Sequence, residues 1–87
     1  MYLHVGNGKM IKTGSVIGIF DLDNASVSKR TRAYLNRSQK KGQVVTVGSE
    51  LPKAFVVTAN RRGENRVYLS ALSSETLKKR SGYIDSL

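Results

Sequence analysis

Of the 87 residues none is cysteine, none is tryptophan, one is proline and one is histidine. Without cysteine there are no disulfides and no thiolate chemistry, and a reducing cytoplasm is the simplest setting. The one histidine, His4, is too little for a zinc site or a His-based catalytic triad. Long apolar runs are missing as well. No stretch approaches the ~20 residues that span a bilayer, and Met1-Tyr2-Leu3-His4-Val5 lacks the charged and apolar regions of a signal peptide. Hydrophobic residues still make up 39% of the chain and come in short clusters, enough for one modest core. A single domain over residues 1–87 is therefore expected, and wholesale disorder is not.

Acid is the other scarcity: 6 Asp and Glu stand against 15 Lys and Arg, a net charge of +9. So large an excess on so short a chain favours an anionic partner, with nucleic acid first, an acidic membrane surface second and an acidic protein third. The plainer alternative is a soluble domain that is simply basic. The excess is localised. Residues 24–43 hold Lys29, Arg30, Arg32, Arg37, Lys40 and Lys41 with no acid, and residues 53–66 add Lys53, Arg61, Arg62 and Arg66 against Glu64. The tail carries Lys78, Lys79 and Arg80 against Glu75 and Asp85.

Periodicity gives the elements. Tyr2 to Val5 alternates as a strand does, Gly6-Asn7-Gly8-Lys9 supplies a tight turn, and Met10 to Lys12 returns. Val16-Ile17-Gly18-Ile19-Phe20 is a continuous apolar run that predicts a strand buried on both faces. From Ser26 the period changes: Val27, Thr31, Tyr34, Leu35 and Ser38 share one side of a helix over 26–41, while Lys29, Arg30, Arg32, Asn36, Arg37 and Lys40 share the other. Ser26 or Asn24 suits its N-cap and Gly42 its C-terminal stop, with Lys40 and Lys41 at the negative end of the dipole. Val44 to Val47, Ala54 to Thr58 and Val67 to Leu72 read as strands, the last two joined as a hairpin through Asn60-Arg61-Arg62-Gly63-Glu64-Asn65. Ser73 or Ser74 caps a short helix through Arg80, ended by Gly82. The expected fold is α+β: a small antiparallel-rich sheet packed on one face by the amphipathic basic helix, plus a short C-terminal helix. With so few large side chains, completion of the core by another subunit is also expected.

Signals for enzymatic chemistry are weak. Gly6-Asn7-Gly8-Lys9 lacks the wider spacing and following helix of a phosphate loop and reads better as a hairpin turn. Asp21 and Asp23 could meet a cation, but turn formation and dipole complementarity account for them. Ser70, Ser73 and Ser74 have no nearby base. His4 on a strand reads as a core or interface imidazole. The expectation is a non-enzyme with no catalytic, metal or cofactor-binding residues. The Arg-bearing hairpin is more suggestive, since Arg61, Arg62 and Arg66 can reach phosphates, though a solvated flexible turn is an equal reading. The basic helix face, with Arg30 and Arg37, suits sequence-independent phosphate contact better than base readout.

Three segments and the C-terminal block then carry a resemblance. Met1-Tyr2-Leu3-His4-Val5-Gly6, Val16-Ile17-Gly18-Ile19-Phe20-Asp21, Pro52-Lys53-Ala54-Phe55-Val56-Val57-Thr58 and, above all, Tyr68-Leu69-Ser70-Ala71-Leu72-Ser73-Ser74-Glu75-Thr76-Leu77-Lys78-Lys79-Arg80 resemble the RemA/RemB family of extracellular-matrix regulators. The likeness covers about residues 1–81 and is nearer to the RemB branch. It implies a single Rem-type domain, a cytoplasmic DNA-binding regulator of biofilm matrix genes, and a homo-oligomer, ring-like in the RemA branch. Such an array multiplies weak contacts into avidity. In the RemA branch DNA-contacting arginines occur after the first hairpin and as a pair before the Ala-rich strand. The aligned positions here are Ser15, and Glu50 with Leu51, none of them basic. Lys53 does match a basic position of the family. The expected DNA-binding residues are accordingly Arg61, Arg62, Arg66, Lys53, Arg30 and Arg37, with double-stranded DNA as partner, no membrane and no small-molecule substrate. The competing reading is an oligomeric adaptor whose basic face meets an acidic protein.

Overall fold

The computed structural model describes residues 2–22 and 29–81. Strands β1 (Tyr2–Gly6) and β2 (Lys9–Lys12) form a two-stranded antiparallel hairpin. Its turn residues Asn7 and Gly8 have φ of 52° and 75°, the left-handed pair that a two-residue hairpin turn requires. A 3-10 turn over Thr13–Ser15 leads into β3 (Val16–Asp21). Helix α1 (Lys29–Lys40), β4 (Val44–Thr46), β5 (Ala54–Ala59), β6 (Asn65–Ser70) and α2 (Ser74–Ser81) complete the α+β fold. The four-stranded sheet runs β3-β5-β6-β4, antiparallel except for the β4–β6 pair. Since β3 and β4 are opposite edges, the chain passes from one edge to the other by way of α1.

Both faces of this sheet are covered, α1 lying on one of them as expected. Alternate residues of β5 supply the two cores. Ala54 and Val56 face a cluster with Leu3, Val5 and Ile11 of the β1–β2 hairpin, Leu77 of α2, Ile19 and Tyr68 of the sheet itself, and Val47. Phe55 and Val57 face a second cluster with Val67, against which Tyr34 and Leu35 of α1 pack. The result is three layers: hairpin with α2, sheet, and α1. The hairpin layer was not predictable from periodicity, because a short alternating strand pair looks the same whether it joins the main sheet or lies across it.

The expectation for β3 fails. Only Ile19 is buried, while Ile17 is 60% and Phe20 47% exposed. β3 is an edge strand, and α1 packs towards β4 and β6, leaving the outer part of that face open. Phe20 compensates by stacking on Phe55 with ring centroids 5.0 Å apart. It folds back over Gly18, where an added Cβ would lie 2.7 Å from the ring. His4 is likewise exposed, on the outward face of β1, so the core-imidazole reading is corrected. Strand β6 ends at Ser70 rather than Leu72, because the buried Ser70 hydroxyl donates to the Val5 carbonyl at 2.6 Å and accepts from the Leu72 N–H at 3.1 Å, turning the chain.

Helix ends follow local chemistry. Gly42, at φ 71°, closes α1 in a Schellman motif: its N–H donates to the Gln39 carbonyl at 3.0 Å, and the Gln43 N–H donates to Ser38 at 2.9 Å. Ser73 rather than Ser74 is the N-cap of α2, accepting from the Thr76 N–H at 3.1 Å. The N-cap expected at Asn24 or Ser26, and Val27, Asp23 and Gly82, lie outside the described residues.

Candidate nucleic-acid interface

The loop between β5 and β6 is built by one side chain. The Asn60 Oδ1 accepts from the backbone N–H groups of Arg62 and Glu64, both at 2.9 Å, and its Nδ2 donates to Glu64 Oε1 at 2.7 Å. The backbone adds Gly63 N–H to Asn60 carbonyl and Asn60 N–H to Glu64 carbonyl, each 3.0 Å. Arg61 and Arg62 thus occupy the centre of a turn, and Gly63 follows at φ 79°, the three-residue hairpin with a left-handed glycine. The loop is a hydrogen-bonded turn with two exposed arginines at its tip.

Against that turn stands the exit of the first hairpin. Tyr2 and Lys12 pair across β1 and β2 at the end remote from the Asn7-Gly8 turn, which brings them and the 3-10 turn beside the β5–β6 loop. A cleft of about 900 Å³ results, lined by Tyr2, Lys12, Ser15, Asn60, Arg61 and Arg62 among others. The Ser15 hydroxyl donates to the Lys12 carbonyl at 2.7 Å and fixes the corner. Among the described residues Lys12, Arg61 and Arg62 make no ion pair, so three positive charges converge without a neutralising partner. Such a concavity concentrates positive potential. Lys12 was not among the residues singled out from sequence. The hairpin register does place it opposite Tyr2, but the neighbourhood with Arg61 depends on how the hairpin lies on the sheet.

A second concavity, of about 430 Å³, lies on the α1 side of the same loop, lined by Arg37, Lys41 and Gln43 from the end of the helix and by Gly63, Glu64 and Asn65. Arg37 therefore joins the loop region, together with Lys41. Arg66 is exposed on β6 one pair inward from the loop, opposite Thr58, whose Oγ1 donates to the Arg66 carbonyl at 3.2 Å. Arg30 sits apart, near the start of α1, beside the apolar groove formed with Ile17, Phe20, Tyr34 and Phe55. Lys53 is at the opposite end of the sheet, its N–H bonded to the Ser70 carbonyl at 2.8 Å. Of the six residues expected to bind DNA, four cluster around one loop and two do not. Lys9, by contrast, is spent within the fold, its Nζ 5.8 Å from the centre of the Tyr68 ring.

No three His, Cys, Asp or Glu side chains gather into a metal-holding group among the described residues, and no helix there is long and apolar enough to cross a membrane. The profile of the RemA-like family, described as extracellular matrix regulatory protein A-like, matches residues 2–80. The extracellular matrix regulatory protein B of Bacillus subtilis (strain 168) is 36% identical over 84 residues, covering 97% of this chain and 94% of that protein. The match spans the elements that build both concavities, and the chain belongs to the RemA/RemB family of extracellular matrix regulators.

Proposed function

We propose that this chain is a cytoplasmic DNA-binding transcriptional regulator of biofilm extracellular-matrix genes that holds the duplex mainly through phosphate contacts, as a homo-oligomer. The observation that carries the reading is the cleft lined by Lys12, Arg61 and Arg62, none of which makes an ion pair among the described residues. It also contains Ser15, the position aligned with a DNA-contacting arginine of the RemA branch. Charge absent at that position is thus supplied from Lys12 and from the β5–β6 loop beside it. Guanidinium groups suit phosphate oxygens, which accept two parallel N–H donors. One subunit presents few such contacts, and an array of subunits along the duplex multiplies them.

One feature favours a second reading. Glu50 and Leu51 stand where the RemA branch has its arginine pair, and Leu51 is 86% exposed. An adaptor that joins an acidic protein through the basic end, with Leu51 in a separate apolar contact, would account for both. Duplex binding by the purified full chain, measured from low to moderate salt, separates the two. The DNA reading expects log K to fall with log salt at about −0.9 per phosphate contacted, so a slope near −3 if the three cleft cations are engaged. Absence of binding to any duplex at low salt favours the adaptor. Sedimentation of the same sample tests the oligomer, and a strict monomer removes the array.

A further inference from the structure

The cleft and the second concavity share a wall. Residues 60–64 are all exposed, and they emerge from the middle layer of the molecule, between the β1–β2 hairpin on one side and the end of α1 on the other. Each gap between layers is one of the two concavities, and each carries an excess of cations: Lys12 with Arg61 and Arg62 in one, Arg37 and Lys41 against the Glu64 carboxylate in the other. The shape is a ridge flanked by two positively charged hollows. Where only one hollow would suggest a lone anion or a single strand, a charged hollow on each side of a ridge matches an object with two parallel lines of negative charge and a trough between them.

We infer that the β5–β6 loop enters the major groove of duplex DNA, with one phosphate backbone received by the Lys12–Arg61–Arg62 cleft and the other by Arg37 and Lys41. The inference rests on the duplex-binding reading and adds to it a groove, a second phosphate seat and a residue, Lys41, that was not among the expected DNA-binding residues. Dimensions select the groove. Adjacent strands lie about 4.8 Å apart before side chains are added. A minor groove about 6 Å wide leaves no room for them, whereas a major groove about 12 Å wide admits a two-stranded ribbon. Rigidity is the second requirement, because a ridge that must order itself on binding loses affinity. The Asn60 network provides that order in advance, and it also holds the one acid of the loop, Glu64, through the 2.7 Å bond from Asn60 Nδ2. In the major groove an arginine at the tip can meet guanine O6 and N7, which gives a route to base preference on a surface otherwise suited to phosphate.

The test uses the full chain and three forms of one duplex: unmodified, with every cytosine replaced by glucosylated 5-hydroxymethylcytosine to fill the major groove, and with netropsin bound in A·T-rich minor grooves. Binding to the unmodified duplex tests the duplex-binding reading itself, and no binding there overturns both. With that binding established, the ridge predicts at least a ~10-fold loss on the glucosylated duplex and less than about a twofold change with netropsin. The reverse pattern, or equal affinity for all three, overturns the inference while leaving phosphate binding intact. The variant Arg37→Gln/Lys41→Gln should lower the magnitude of the salt slope by about 1.8, two contacts at 0.9 each. An unchanged slope removes the second seat. Glutamine keeps helix propensity at Arg37, and an unchanged unfolding midpoint shows that a lost slope does not come from lost structure.

Discussion

The two ends of the β5–β6 hairpin are made from the same strands and serve opposite purposes. At one end Ala54 pairs with Ser70, both fully buried; at the other Ala59 pairs with Asn65 and the chain runs out into solvent. They are five residue steps apart, about 17 Å. Each end is organised by one short polar side chain. The Ser70 hydroxyl bonds inward, tying the sheet to the first hairpin through the Val5 carbonyl, and the Asn60 amide bonds along the loop, shaping an exposed turn. A bond of the first kind replaces water in a dry place, so losing it leaves a buried carbonyl unsatisfied. A bond of the second kind competes with water at every moment and contributes mainly by restricting the loop. The contrast teaches that this small domain keeps its core at one end and its proposed binding surface at the other, so each should be alterable without the other.

Disturbing the closed end should have the largest effect. Leu77 of α2 is fully buried beneath the first hairpin, in the same cluster as Leu3 and Val5. Leu77→Ala is expected to cost about 2–5 kcal/mol of stability through lost transfer energy and the cavity left behind. Chemical denaturation reads it, and a change under about 1 kcal/mol would mean that α2 is not a true part of the core. Next comes the open end. Arg61→Glu/Arg62→Glu removes two phosphate contacts, each worth about eightfold at 0.1 M salt when referred to 1 M, so duplex affinity should fall about 60-fold or more. The unfolding midpoint should not move, since both side chains are exposed. Lys53→Glu reverses a charge at the closed end and serves as the comparison, with less than about a threefold effect expected if the separation of ends is real. A loss in log K from Lys53→Glu about half that of the double reversal, in proportion to the charge each removes, would show that the duplex senses net charge alone.

How much of this was readable beforehand follows from where the information lies. Asn7-Gly8, Gly42 and Ser73 declare their turns and caps because φ preference and hydroxyl capping are local properties. The β-rich run Ala54 to Thr58 and the pair of arginines before Gly63 were equally legible. What sequence did not convey was non-local: that β3 is an edge strand, so that Val16 to Phe20 is only partly covered, and that the β1–β2 hairpin forms a layer of its own. An apolar run of five says that burial is available, not which neighbour provides it. The same gap hid half of the candidate site. Lys12 belongs beside Arg61 only because the hairpin lies across the sheet in one orientation, and Lys41 flanks the loop only because α1 ends there. Arg30 and Arg37 looked alike on a helical wheel. Seven residues along a helix separate them by about 10 Å, enough to leave one at the apolar groove and bring the other to the loop.

The finest distinction between the ends is whether the open end works by charge alone or by charge held in place, and Asn60→Ala addresses it. The substitution leaves Arg61, Arg62, Lys12 and every other charge untouched while removing the acceptor of two backbone N–H groups and the donor to Glu64. Because Asn60 is exposed, water takes over these bonds, and the stability cost should be about 1 kcal/mol or less. Binding should suffer more in proportion. A loosened loop must be ordered when the duplex arrives, at about 0.5–1.5 kcal/mol for each side chain newly immobilised, so affinity should drop about three- to tenfold. The salt slope should stay as it was, because no phosphate contact is lost. That pairing of outcomes is the diagnostic: Arg61→Glu/Arg62→Glu lowers both affinity and slope, whereas Asn60→Ala lowers affinity at constant slope. If Asn60→Ala binds as tightly as the parent chain, preorganisation of the turn is irrelevant, and the open end is a cluster of charges whose geometry does not matter.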